Sequence, residues 1–264
     1  MYNVVQIRIL KGGHTVKLKQ ILNWVAVLAV LAVNGLANAL PLNGKTTGDI
    51  SNSIPTLFTP AGYVFAIWSV IYLGLLAFAW YQSRSAQGTA ALLERVGYWF
   101  VVSCASNIAW IFLWHYEEFP LSLVAMLGLL VSLIAIYLRL DIGRRPVSAP
   151  ERRWVHLPFS TYLGWICVAT IANVSVVLYT QGWNGGPLAP ELWTVIMVVV
   201  AGALGIAMIL LRNEVAFPLV IIWALIGIAV ARSAIAVIAF SAGGASLALA
   251  AMLALALLRR PSQV

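Results

Sequence analysis

Apolar residues in this chain run in long uncharged blocks, and polar residues gather between the blocks rather than along one face of each. A helix of about 20 apolar residues crosses a hydrocarbon core about 30 Å thick. The blocks predict such helices over 21–40, 60–81, 97–114, 121–138, 157–179 and 191–211. The final apolar stretch, 216–258, is too long for one span at about 1.5 Å per residue. It is expected to break near Arg232-Ser233, with 241–244 a second candidate. The expectation is eight spans. The connection 41–58, with Pro41, Gly44, Gly48 and Pro55, is long for a link between packed helices. After it, Pro60 suits a first helical turn, where its missing N–H is no loss.

Composition agrees with the pattern: 62% of the 264 residues are apolar and only 9% are charged, the balance of an integral membrane protein. The net charge of +8 would fit a nucleic-acid binder, but its distribution says otherwise. With an inside N-terminus, every basic residue except Lys45 and Arg232 falls on the inside. That asymmetry is a topology signal. It places both termini in the cytoplasm and makes the lipid bilayer, not nucleic acid, the expected partner. Trp24, Trp99, Trp154 and Trp193 sit near span ends, as interfacial anchors do. Residues 1–20 carry Arg8, Lys11, Lys17 and Lys19 and no acid. Ala37-Asn38-Ala39 has the form of a leader cleavage site, but the preceding run is long for a leader. Asn34 and Asn38 also share a face, and a retained first helix is expected.

All eight carboxylates lie in loops or at helix ends, with no acid or lysine at a predicted midplane, which argues against an ion-coupled pump. Cys104 and Cys167 lie mid-span without metal-ligand spacing and read as small apolar residues. His115 and His156 belong to opposite membrane faces and His14 to the tail, so a shared metal site is not expected; solvated or interfacial positions are. No nucleophile with a base and no phosphate loop is present. What remains is aromatic and amide. Phe65, Trp68 and Tyr72 share one helical face, as do Ser103, Asn107, Trp110 and Trp114, and Tyr162, Trp165, Ala169 and Asn173. Three such stripes can converge on a cavity suited to a large flat ligand with a polar edge. The alternative is helix–helix packing, with Asn107 and Asn173 bonding between helices.

Three ordered motifs carry a resemblance. Phe58-Thr59-Pro60-Ala61-Gly62-Tyr63-Val64-Phe65-Ala66-Ile67-Trp68, then Tyr72, resembles the Trp-Thr-Pro-Pro-x-Trp-Val-Phe-x-x-Trp-x-x-x-Tyr of the TspO/MBR family of tryptophan-rich sensory proteins. Ser106-Asn107-Ile108-Ala109-Trp110-Ile111-Phe112 is similar to that family's Leu-Asn-x-x-Trp-Ser-x-x-Phe. Leu157-Pro158-Phe159, Trp165, Ala169-Thr170 and Asn173 are similar to its Leu-Pro-Tyr-x-x-Trp-x-x-Phe-Ala-Thr-x-x-Asn. The resemblance implies an all-α membrane protein in three parts: a basic cytoplasmic tail at 1–20, a five-helix core at 21–180 and a three-helix extension at 181–264. It implies a bacterial inner membrane and a pocket for a porphyrin, haem or sterol-like ligand under the 41–58 loop. No cofactor is required. By resemblance the ligand-binding residues are Phe58, Tyr63, Phe65, Trp68, Tyr72, Asn107, Trp110, Tyr162, Trp165 and Asn173. Trp68 and Trp165 match the tryptophans tied to porphyrin binding and light-dependent breakdown. Phe58, Ala61 and Tyr63 depart from the pattern, which bears on photochemistry more than on fold. The resemblance leaves open a light-dependent porphyrin-degrading enzyme, a carrier of a lipid-like solute, and a homodimer whose face the extension would cover.

Overall fold

The computed structural model describes residues 2–259 except 41, 85 and 184, with side chains from Thr15 onward except those of 86–88. Arg8, Lys11, His14 and Arg260, which enter the expectations above, lie outside the described side chains. Every regular element among the described residues is helical: α1 (Tyr2–Ala39), α2 (Thr47–Ser53), α3 (Ile67–Gln82), α4 (Ala86–Val96), α5 (Trp99–His115), α6 (Phe119–Arg139), a single turn α7 (Ala149–Glu151), α8 (Leu157–Thr180), α9 (Pro190–Arg212), α10 (Ala216–Ala231) and α11 (Ala236–Leu258). The expected spans all fall on helices. Six stretches are long and apolar enough to cross a membrane, and α4 with α5 makes a seventh, bent by 49°. The remaining one, α10, has 16 residues, short of the roughly 20 a full crossing needs. The chain is an integral membrane protein with six or seven such spans.

Three boundaries differ from expectation for local reasons. Residues 41–58 are not an open loop: Thr46 and Asp49 form a capping box that starts α2, each side chain accepting from the other's backbone N–H. The helix expected from residue 60 begins as a tight 3-10 turn at Gly62–Ala66 and becomes α-helical only at Ile67. Ala61 N–H is instead given to the carbonyl of Gly227 in α10, 3.1 Å away. Finally, α11 runs unbroken through 241–244, so the 216–258 stretch divides only near Arg232.

The helices pack in two groups that share α8. On one side α1 lies on α5, α5 on α6, and α6 and α3 on α8; on the other, α10 packs on α8 and α11 on α9 and α10. The segments 42–66, 116–118 and the α10–α11 turn meet at one end, here termed the roof. The arginine-rich turn before α7 meets the end of α9 at the other.

Candidate functional site

Just below the roof the three aromatic stripes do converge. Tyr72, Trp68, Trp110 and Trp114 form a ladder of nearly parallel rings with centroids 5.5, 6.3 and 5.4 Å apart. Trp165 from α8 stands edge-on to Trp68 at 6.1 Å and to Phe65 at 5.9 Å. Offset and edge-to-face contacts of this kind suit ring quadrupoles. Two adjoining cavities open beside the rings. One, of about 40 Å³, lies between Trp68, Trp110, Trp165 and Asn173 beneath Ser51, Thr59 and Pro60. The other, of about 220 Å³, lies between Trp68, Tyr72, Trp110 and the α1 residues Asn34 and Asn38. Thr47, Phe65, Trp68 and Trp110 line both.

Two short chains of hydrogen bonds, each centred on an asparagine amide, run beside the rings. Asn34 Nδ2 donates to Asn107 Oδ1 at 2.8 Å, and Asn107 Nδ2 donates to Tyr162 Oη at 3.1 Å. Trp110 Nε1 donates to Asn173 Oδ1 at 3.0 Å, while Asn173 Nδ2 donates to Ser122 Oγ at 3.1 Å. These bonds join α1, α5, α6 and α8. Asn107 and Tyr162 are fully buried and line neither cavity, so they brace the wall from behind. Asn173 does line the smaller cavity while holding Trp110 in place.

Trp165 is different. It is 2% exposed, and its indole Nε1 is buried with no hydrogen-bond partner. An unmatched buried donor is costly, and here it belongs to a wall of the smaller cavity.

The other expected residues lie apart from the cavities. Phe58 is buried inside the roof and lines neither. Tyr63 is 45% exposed and stands edge-on to Trp223 of α10, with centroids 5.3 Å apart. Several cavity residues escaped the sequence reasoning: Thr47, Ser51 and Thr59 from the roof. Trp114, at the end of its stripe, also lines the smaller cavity, and its Nε1 donates to the Thr47 carbonyl at 3.4 Å.

His115 corrects an expectation. It sits at the end of a span as expected but is not solvated: it is fully buried, with Nδ1 3.2 Å from the Leu42 carbonyl and Nε2 2.9 Å from the Thr47 hydroxyl. A carbonyl only accepts, so in the neutral ring Nδ1 carries the proton and Nε2 accepts from Thr47. The imidazole thereby pins the roof to the end of α5. His156 is also buried, at the opposite end.

The roof is held from the C-terminal side as well. Arg232 donates from Nη2 to the Thr56 carbonyl at 2.8 Å and from Nε to that of Leu57 at 3.1 Å. Trp223 Nε1 donates to the Val64 carbonyl at 3.1 Å. Gly227 lies so close that a Cβ there would come within 2.2 Å of Val64 Cγ2.

A family model described as TSPO-like protein matches residues 20–257. The chain belongs to the TSPO-like family. The match runs well past residue 180, so the three helices that the sequence sets apart from the core fall inside the TSPO-like pattern. No curated protein and no solved structure matches the chain.

Proposed function

We propose that this TSPO-like protein binds a flat, largely apolar ligand, a tetrapyrrole or sterol-like molecule, between α1, α3, α5 and α8 beneath the roof. The observation that carries the proposal is the unpartnered indole N–H of Trp165 in the wall of an aromatic cavity. A ligand with an apolar body and an acceptor at its edge would stack on Trp68 and satisfy that donor. Pockets for such molecules hold about 300–1,000 Å³, more than the two cavities offer as they stand. Entry therefore requires the roof segment with Thr47, Ser51, Thr59 and Pro60 to give way. The setting is a bacterial inner membrane with both termini cytoplasmic, an orientation supported by the crowding of arginines at the end opposite the roof. The role is that of a sensor or binding protein; homodimerisation belongs to the same proposal.

The test is a titration of the purified chain with protoporphyrin IX, followed by tryptophan fluorescence, in parallel with Trp68→Phe and Trp165→Phe. Saturable quenching is expected in the parent, with affinity lower by about tenfold in Trp165→Phe, the size of one lost hydrogen bond. Identical curves for all three proteins would sink the assignment. Light-dependent loss of the bound porphyrin that vanishes in Trp68→Phe would move the reading to an enzyme.

A further inference from the structure

The end opposite the roof holds a recess of about 340 Å³ that the aromatic cavity does not account for. Its walls are two turns that bring guanidinium groups together. In the first, Asp141 and Gly143 adopt positive φ of 50° and 82°, and the backbone lies so close to α9 that a Cβ on Gly143 would come within 2.0 Å of the Arg212 carbonyl. Arg212 Nη1 donates to Asp141 Oδ1 at 2.8 Å and Arg144 Nε to the Leu211 carbonyl at 3.2 Å, which fixes that docking. In the second, Arg152–His156 is wound as a π-helix, with Leu157 N–H donating to the Arg152 carbonyl. Pro158 follows and has no N–H to give the Trp154 carbonyl, so the regular ladder is interrupted at this point in any case. Arg152 and His156 thus share a face.

Arg144, Arg145, Arg152 and His156 line the recess together with Glu214. Arg145 is paired with Glu151, but among the described residues no carboxylate pairs with Arg144 or Arg152. Two buried nitrogens are unmet. His156 is only 6% exposed and its buried Nε2 has no hydrogen-bond partner; neither has the buried Nε of Arg145. Glu151 Oε1 lies 3.9 Å from that histidine nitrogen, beyond bonding distance. The depth of the recess along the bundle is marked by Trp154, which lies under the Arg153 guanidinium and edge-on to Trp80. Tryptophans in such positions belong to the headgroup level of a bilayer.

We propose that this recess is a phosphate site, taking the headgroup phosphate of an acidic phospholipid or a free phosphate ester. Arg144 and Arg152 offer two planar forks of the kind that bind phosphate oxygens bidentately, with the charge of Arg145 beside them although its Nη2 is held by Glu151. Basic recesses between membrane helices at headgroup depth take acidic lipids. The assignment is independent of the aromatic cavity and its ligand.

The test uses the full chain in neutral detergent, with native mass spectrometry reading bound phosphatidylglycerol and phosphatidylcholine. Phosphatidylglycerol should bind more tightly, and the Arg144→Gln/Arg152→Gln double variant should lose about 30-fold in its affinity, at the usual increment for two surface arginines. Arg259→Gln removes a charge from the same end without touching the recess and should change it less than about twofold. Melting curves check that each variant remains folded. Displacement of the lipid by millimolar inorganic phosphate would identify free phosphate as the occupant; failure to displace it would identify the lipid. If the double variant binds phosphatidylglycerol as Arg259→Gln does, and inorganic phosphate binds neither, the proposal is overturned.

Discussion

The helices around the aromatic cavity and the three that follow residue 190 are held together by different means. Around the cavity, side-chain hydrogen bonds cross from helix to helix: Asn34 to Asn107, Asn107 to Tyr162, Trp110 to Asn173, Asn173 to Ser122. In the later helices the hydroxyls of Thr194, Ser241 and Ser246 bond back to their own helix. There, small residues permit close approach: Ala201, Ala224 and Ala242 are fully buried, and a Cβ on Gly205 would meet Leu249 at 2.9 Å. In a membrane both are sound solutions, because lipid offers no hydrophobic drive for helices to associate. The difference is one of precision. Amide bonds hold rings in a fixed orientation, which a binding wall needs; small-residue packing fixes only distance, which suffices for a buttress.

The largest effect should come where the two regions meet. Gly227→Leu would force a side chain into Val64 and Pro60 and push the roof off α10. Overpacking of this kind costs about 1–3 kcal/mol, which thermal unfolding in detergent would register, together with faster exchange of any porphyrin that the proposed site takes up. An unchanged exchange rate would mean that α10 does not hold the roof closed.

A smaller effect separates the two regions directly. Asn107→Leu leaves Asn34 Nδ2 with only its bond to the Val30 carbonyl and takes the donor from Tyr162 Oη, at about 1–2 kcal/mol given that partners exchange in membranes. Ser246→Ala in α11 loses only a bond to its own helix and should cost less than about 0.5 kcal/mol. Equal losses in the two variants would erase the distinction between precise and buttressing packing.

The smallest effect is confined to acid. Thr46 donates to Asp49 Oδ2 from its hydroxyl and its backbone N–H, holding that exposed carboxyl below its ordinary 3.8. A lowered folded value means that the unfolded chain takes up the proton first. The contribution of the box is therefore complete above about pH 4 and lost as pH falls through the folded value. A pH series of unfolding should show Asp49→Ala less stable than the parent at neutral pH, the gap closing in acid. A gap that stays constant would show that the ionised carboxylate is not what matters.

The sequence made the helical blocks and their break near Arg232 legible, because burial in lipid writes itself into the length and hydropathy of each block. The convergence of Trp68, Trp110 and Trp165 was legible from helical spacing. The occupied amides were not: whether Asn107 faces a ligand or Asn34 depends on how α1 docks, a relation across more than 70 positions of chain. Tyr63 and Phe58 follow the same logic. The backbone around them is turned by the Ala61–Gly227 bond, and nothing near residue 61 announces that partner. His115 is buried because Leu42 and Thr47 fold back onto it, although the Thr46–Asp49 capping box behind that fold was written in the chain.

The bonds from Trp223 and Arg232 to the roof span 159 to 176 positions of sequence, and this imposes an order on biosynthesis. At about 5–20 residues per second, a ribosome delivers the roof roughly 8–35 s before the residues that fasten it. For that interval the aromatic walls can assemble with the roof still loose. A ligand present at the site of synthesis would be enclosed as the chain is completed, whereas one arriving later must prise the roof from α10. Whether the protein carries its ligand from birth or meets it afterwards is thus a question of translation timing as much as of affinity.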